Sequence, residues 1–399
     1  MSVTGLLADI QQIGRDATSG GYCRPVFSTA EMDLRAWFLG EADRRGLDVE
    51  IDRNGIIWAW WGAPGPGSVV TGSHLDSVPG GGAFDGPLGV AAALAAVDVL
   101  RADGFTPQRS LAVAVFPEEE GSRFGIACLG SRLMTGKLSA DKARSLTDAS
   151  GTTLAEVFAA GGVDPRHLGR DEDALARVGH YVELHIEQGR GLIDLGRPIA
   201  VGSTILGHGR WRATVRGQGN HAGTTLMADR RDPLVAAAQM VGAVSSLARE
   251  TDDARATVGR FEPVPGGTNV IASEVRFWID ARHPDDAVTL ALVERFRSAF
   301  EAIASAHGCT VEVREESWSA GVDFDPGLAA RLSAALDDAP LLYTGAGHDA
   351  GILAEFVPSG MLFTRNPTGI SHSPEEYAED ADADHSAFAL AQALRGLLS

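Results

Sequence analysis

His74, Asp76, Asp85, Glu118, Glu119, Glu120, His185 and His372 stand where apolar, strand-like runs of the sequence come to an end. The stretch GSHLDSVPGGGAFDGPLGV, residues 72–90, sets His74 and Asp76 one residue apart and then surrounds Asp85 with glycines. Imidazole and carboxylate without thiolate suit zinc, manganese or a similar divalent ion. A partly desolvated carboxylate cluster repels itself, and a cation removes that cost. Two cations sharing one bridging carboxylate use five ligands, which a set of this size supplies. Gly80, Gly81 and Gly82 are expected to turn the chain tightly enough for Asp85 to approach His74. Each piece alone has an ordinary reading. The His-x-Asp pair can be a hydrogen-bonded loop pair, the EEE run a solvated acidic turn, and SHSPEE a helix cap. Their joint appearance, each after an apolar run, favours the metal.

These residues need elements to position them. STAE at residues 28–31 has the form of a capping box and opens a helix expected to reach about Arg45. DVEID, GIIWAWW and SVVTGS read as strands, the last ending just before His74. Pro87 suits the first turn of an Ala-rich helix over residues 88–100, and SLAVAVF (110–116) is a buried-type strand. HYVELHIEQG, residues 180–189, is another strand. This order predicts an α/β fold, with a parallel or mixed sheet covered by helices and ligands at the carboxyl ends of its strands. From about Leu206 the pattern changes. Strands at 210–217, 256–262, 270–281 and 309–314, with helices at 232–249 and 284–305, give the β-α-β-β-α-β order of a ferredoxin-like unit. The expected organisation is a mixed-sheet, metal-binding catalytic domain from residues 1–206 and 319–399. A small α+β domain, 207–318, is inserted into it. Strand 360–364 and helix 381–398 return to the first domain.

The bulk numbers set limits. The chain has 399 residues, enough for two domains, with 44% hydrophobic and 22% charged residues. It contains no apolar run of about 18 residues, so no membrane span is expected. The segment MSVTGLLADIQQIGRD lacks a basic start and a signal-type apolar core. Cys23, Cys128 and Cys309 are scattered and odd in number, which fits a reducing cytoplasm. A net charge of −19 argues against nucleic acid as a partner.

Seven motifs occur in order: GSHLDSVPGGGAFDGPLGV, PEEEGSRFG, ELHIEQG, GNHAGTT, TNVIA, GAGHDA and GISHSPEE. Together they resemble the M20 metallopeptidase clan. More narrowly they resemble its amidohydrolase branch, which comprises N-carbamoyl-L-amino acid hydrolases, allantoate amidohydrolases and β-ureidopropionases. The resemblance runs from about residue 15 to the C-terminus. It implies two divalent ions, zinc or manganese, with cobalt or nickel permitted by ligand softness. His74, Asp85 and His185 would bind one ion, and Asp85 would bridge to a second held by Glu120 and His372. Asp76 would orient the His74 imidazole. Glu119 would be the general base and Glu118 structural. His221 would donate to the oxyanion. Gln188 would contact the ureido end, Asn269 the amide and Arg282 the substrate carboxylate. His348 would line the pocket. The resemblance further implies that the inserted domain is a lid that closes over the metals and pairs two subunits into a homodimer.

The implied substrate is a small ureido or amide acid, cleaved to an amine, carbon dioxide and ammonia. One segment departs from the carbamoylase pattern. FTRNPTGISH puts Thr364, Arg365 and Asn366 where a small or apolar residue and Pro are expected. Arg365 at the pocket rim would favour an acidic or polar substrate group. That opens allantoate and N-formyl or N-formimino acidic amino acids as substrates. A salt bridge from Arg365 to Glu375 or Glu376 is the alternative. A dipeptidase or aminoacylase of the same clan is disfavoured by His185 and Gln188, and a non-catalytic binding protein by the intact Glu119.

Overall fold

The computed structural model describes residues 2–399, and it divides into two compact units. The first comprises Met1–Ser203 and Asp323–Ser399, the second Thr204–Val322. The observed boundaries lie a few residues outside the expected 207–318 insert. Strand Ile199–Ile205, which the sequence pattern does not mark, crosses the first junction.

A nine-stranded sheet runs through the described residues. At its centre lie four adjacent strands, in the order Leu111–Phe116, Ser68–His74, Val178–Ile186 and Ser359–Thr364. All three neighbouring pairs among them are parallel. Antiparallel partners flank them, Ile57–Trp61 on one side and Ile199–Ile205 on the other, so the sheet is mixed. Helices Val3–Ile10, Pro87–Ala102 and Asp380–Leu398 bury one continuous apolar core against it. Strand Val178–Ile186 shows how the sheet aims its chemistry. Val182, Leu184 and Ile186 enter that core, so strand alternation turns Glu183 and His185 to the opposite face.

Helix Thr29–Arg44 begins as expected, with the Ser28 hydroxyl accepting the Glu31 amide. The capping box is only half formed, because the Glu31 carboxylate accepts from Phe27 N and Arg35 instead of Ser28 N. The polar stretch at residues 137–178 holds three short helices, Ala140–Ser145, Leu154–Ala160 and Glu172–Arg177.

The second unit has a four-stranded antiparallel sheet ordered Thr310–Ser319, Gly207–Arg216, Glu274–His283, Arg255–Val264. Helices Pro233–Arg249 and Asp286–Ala306 cover one face, packing Met240, Phe296 and Phe300 against Trp211 and Phe277. A two-stranded ribbon pairs Asn220–His221 with Val270–Ile271. No helix of the described residues is long and apolar enough to cross a membrane.

Candidate metal centre and active site

The four parallel strands deliver their carboxyl ends side by side, and each end carries part of the site. His74 is the last residue of one strand and Glu118–Glu120 follow the next. His185 is the penultimate residue of the third, and the loop after the fourth leads to His372. Asp85 comes from the turn between strand Ser68–His74 and helix Pro87–Ala102.

These residues form two overlapping groups, His74–Asp85–His185 and Asp85–Glu120–His372, with ligand atoms in each group within 4.8 Å of one another. Asp85 divides its carboxylate between them. Oδ1 lies 3.5 Å from His74 Nε2 and 3.2 Å from His185 Nε2. Oδ2 lies 3.5 Å from His372 Nε2, which is itself 3.5 Å from Glu120 Oε2. The Nδ1 atoms of His74 and His185 sit 3.0 and 2.9 Å from the carbonyls of Asp76 and Ile186. Donation there fixes the tautomer that leaves each Nε2 lone pair open. Both Nε2 atoms are buried without a protein partner. Orphaned buried imidazole nitrogens facing a shared carboxylate fit a divalent cation.

The electrostatics agree. Burial, reinforced by Asp85, pushes Glu120 up to about 8. Burial also raises Glu119 far above the usual carboxylate range, with Asp349 and Glu120 adding to the rise and His74 opposing it. His74 is held up despite its burial by Glu119, Asp76 and Asp85. Such a cluster retains protons near neutrality unless a cation takes their place.

Several expectations change in detail. Asp76 meets the His74 ring twice, through its carbonyl at 3.0 Å and through its carboxylate, which also holds the acidic loop. Its Oδ1 lies 3.6 Å from His74 Nδ1, while the two oxygens accept the amides of Glu119 and Glu120, both at 3.1 Å. Asp76 therefore straps the acidic loop to the His74 strand. Of the expected glycines Gly80 takes φ +79° and Gly82 is closely packed, and Gly86 joins them. Gly86, at φ +85°, lies so close to His74 that an added Cβ would sit 2.5 Å from its ring. Gly82 makes room for Glu376, which accepts the amides of Phe84 and Asp85 at 3.0 Å each. Glu118 is structural, accepting the Arg123 and Phe124 amides. Arg365 is bound bidentately by Asp382, at 2.7 and 3.1 Å, and not by Glu375 or Glu376.

Gln188 Nε2 donates to Asp85 Oδ2 at 2.9 Å and Ser371 Oγ at 3.1 Å, leaving Oε1 buried and unpartnered. The His348 ring lies tilted by 58° against that of His185, with centroids 4.5 Å apart and both its nitrogens buried and unpartnered. Burial, with His185 adding to it, drives His348 well below its ordinary value, so its ring is neutral. On the second unit, His221 pairs across the ribbon with Val270, and Ala222 N donates to Asn269 O at 3.0 Å. His221 Nδ1 accepts the Gly223 amide at 3.1 Å, which leaves Nε2 to carry the proton. Arg282 lies on the larger sheet, hydrogen-bonded to Asp280 at 2.7 and 3.1 Å.

The sequence reading missed the support beneath the site. Glu183 accepts from Ser73 and Ala350 N, the Ser131 hydroxyl donates to Asp349, and the Cys128 thiol donates to Glu119. Glu183 and Asp349 were within quoted motifs, yet their partners lie in distant segments.

Residues 70–396 match peptidase family M20/M25/M40, and the chain belongs to that family. It is 36% identical over 385 residues to the N-carbamoyl-L-amino acid amidohydrolase of Geobacillus stearothermophilus, covering 94% of this chain and 93% of that one. It is 34% identical over 384 residues to the allantoate amidohydrolase of Bacillus subtilis, covering 94% and 92%. A crystal structure of a hydantoinase/carbamoylase-family amidase from Burkholderia multivorans superposes with TM-score 0.89 at 30% identity, covering 99% and 97%.

Proposed function

We propose that this chain is a metal-dependent amidohydrolase that cleaves the linear ureido C–N bond of an N-carbamoyl-L-amino acid or allantoate-like substrate. The products are an amine, carbon dioxide and ammonia. The observation that carries this reading is the divided Asp85 carboxylate between two ligand groups, with the buried Nε2 atoms of His74 and His185 unpartnered.

His74, Asp85 and His185 would hold one divalent ion and Asp85, Glu120 and His372 a second; zinc or manganese suit these ligands, and cobalt or nickel are compatible. Ions held there supply Lewis acidity toward water and the substrate carbonyl. Glu119 takes the proton of the attacking water and returns it to the leaving nitrogen. Its Oε2, 3.7 Å from His74 Nε2, is turned toward the ligand set. Gln188 Oε1 accepts from the ureido nitrogen, and the neutral His348 ring lines the same pocket. The second unit acts as lid and dimerisation domain of a homodimer. It brings His221 Nε2–H to the oxyanion, Asn269 to the amide and Arg282, aligned by Asp280, to the carboxylate. Three free cysteines fit a cytoplasmic setting. Arg365 is engaged bidentately by Asp382, and this reading does not call on it for an extra acidic group of the substrate.

The test is ammonia release by the purified protein with added Mn²⁺ or Zn²⁺, across N-carbamoyl amino acids, allantoate, N-formylglutamate and dipeptides. Turnover confined to ureido acids supports the proposal. Turnover of dipeptides alone, or none that depends on metal, contradicts it.

A further inference from the structure

Cys128 is buried and opens helix Leu129–Thr135 in a left-handed conformation, φ +54°, which few residues other than Gly and Asn adopt. Two backbone contacts hold it there. Its N–H donates to Glu119 O at 2.6 Å, while Arg132 N donates to its carbonyl at 2.9 Å. The same turn aims Sγ at the Glu119 carboxylate, 3.3 Å from Oε1. The chain between Glu119 and Cys128 is thus closed twice, through backbone and through side chains. Burial and the neighbouring Glu119 charge keep the thiol protonated, so it is a donor.

We propose that Cys128 is a positioning residue for the reaction. Its thiol pins Glu119 Oε1, so that Oε2 is the oxygen presented to the attacking water. This rests on the reading of Glu119 as the base. A thiol suits the task because it is a weak donor. It selects one carboxylate rotamer without strongly stabilising the ionised form, which would reduce its basicity. Restricting a side chain to one productive geometry affects the chemical step more than substrate binding.

The experiment compares Cys128→Ala, Cys128→Ser, Glu119→Gln and the double variant Glu119→Gln/Cys128→Ala. Each is measured for kcat, KM, bound metal and thermal unfolding. Cys128→Ala is expected to lower kcat roughly tenfold, with KM and metal content unchanged. Cys128→Ser is expected to recover most of that loss, and the double variant to match Glu119→Gln. Wild-type kcat in Cys128→Ala, a loss of metal or stability that accounts for the drop, or a further drop in the Glu119→Gln background would each overturn the proposal. An active Glu119→Gln variant would instead remove Glu119 as the base, which separates the two failures.

Discussion

The open sheet face of the second unit and the strand-end cluster of the first treat ionisable side chains in opposite ways. On the open face of the second unit's sheet, acids and arginines neutralise one another at the surface. Arg216 and Arg276 both meet Glu274, Arg212 meets Glu316, and Arg282 meets Asp280. Such exposed pairs contribute little and require nothing further. In the first unit, Asp85 is about 4% exposed, Glu119 about 5% and Glu183 fully buried, and the charged partners of Asp85 are histidines. Burial raises Glu119 and Glu183 above the ordinary carboxylate range, while His185 and His74 hold Asp85 well below it despite its burial. The contrast teaches where a cation is needed. Acids paired with arginine already have their counter-charge, whereas acids gathered with imidazoles at strand ends are set for a metal.

Removing the metal should have the largest effect. Chelation is expected to abolish ammonia release and readdition of Mn²⁺ or Zn²⁺ to restore it; activity that survives exhaustive chelation would erase the distinction between the units. Glu119→Gln should lower kcat about 10²–10⁴-fold with metal content intact. His221→Ala, on the second unit, should lower kcat about 10²–10³-fold without loss of metal. If it lost metal instead, the separation of roles between the units would be wrong. Glu376→Ala frees the amides of Phe84 and Asp85 and should weaken metal affinity about 10–100-fold by titration calorimetry. Arg365→Ala breaks a pair whose Asp382 is largely buried, costing about 1–3 kcal/mol in chemical denaturation and leaving KM unchanged. A raised KM would return Arg365 to the substrate site.

A pH dependence follows from the same contrast. In the metal-free protein Glu120 sits at about 8, above its unfolded value near 4.5. The native chain then binds more protons than the unfolded chain between those values, so metal-free stability falls as pH rises through that window. Bound metal keeps Glu120 ionised. The gap in Tm between metal-loaded and metal-free protein is therefore expected to widen from pH 5 to pH 8. A constant or narrowing gap would show that Glu120 is not a ligand.

Much of this was legible in the sequence because apolar runs mark strands and polar residues at their ends mark the ligand edge. Leu111–Phe116, which leads to Glu118–Glu120, is a continuous apolar segment, while the strands carrying His74 and His185 are marked by β-branched and aromatic residues among polar ones. Other strands left weaker traces. Thr310–Ser319 was expected to end at 314, because its register shifts between Glu315 and Ser317 and breaks the alternation. Leu341–Thr344 and the Asn220–His221 pair are too short to show a period, and Ile199–Ile205 carries a glycine and two polar residues within it. At the site, residue types and order identified the side chains that gather around Asp85. The supporting bonds could not be read the same way. Glu376 reaches Asp85 across 291 positions and Asp349 reaches Ser131 across 218, and no local pattern encodes such partners.

The claim that two divalent ions share Asp85 is tested most directly by anomalous diffraction from crystals grown with manganese or zinc. The expected map has two peaks flanking that carboxylate, one against His74 and His185 and the other against Glu120 and His372. A single peak, or none, beside Asp85 would contradict it.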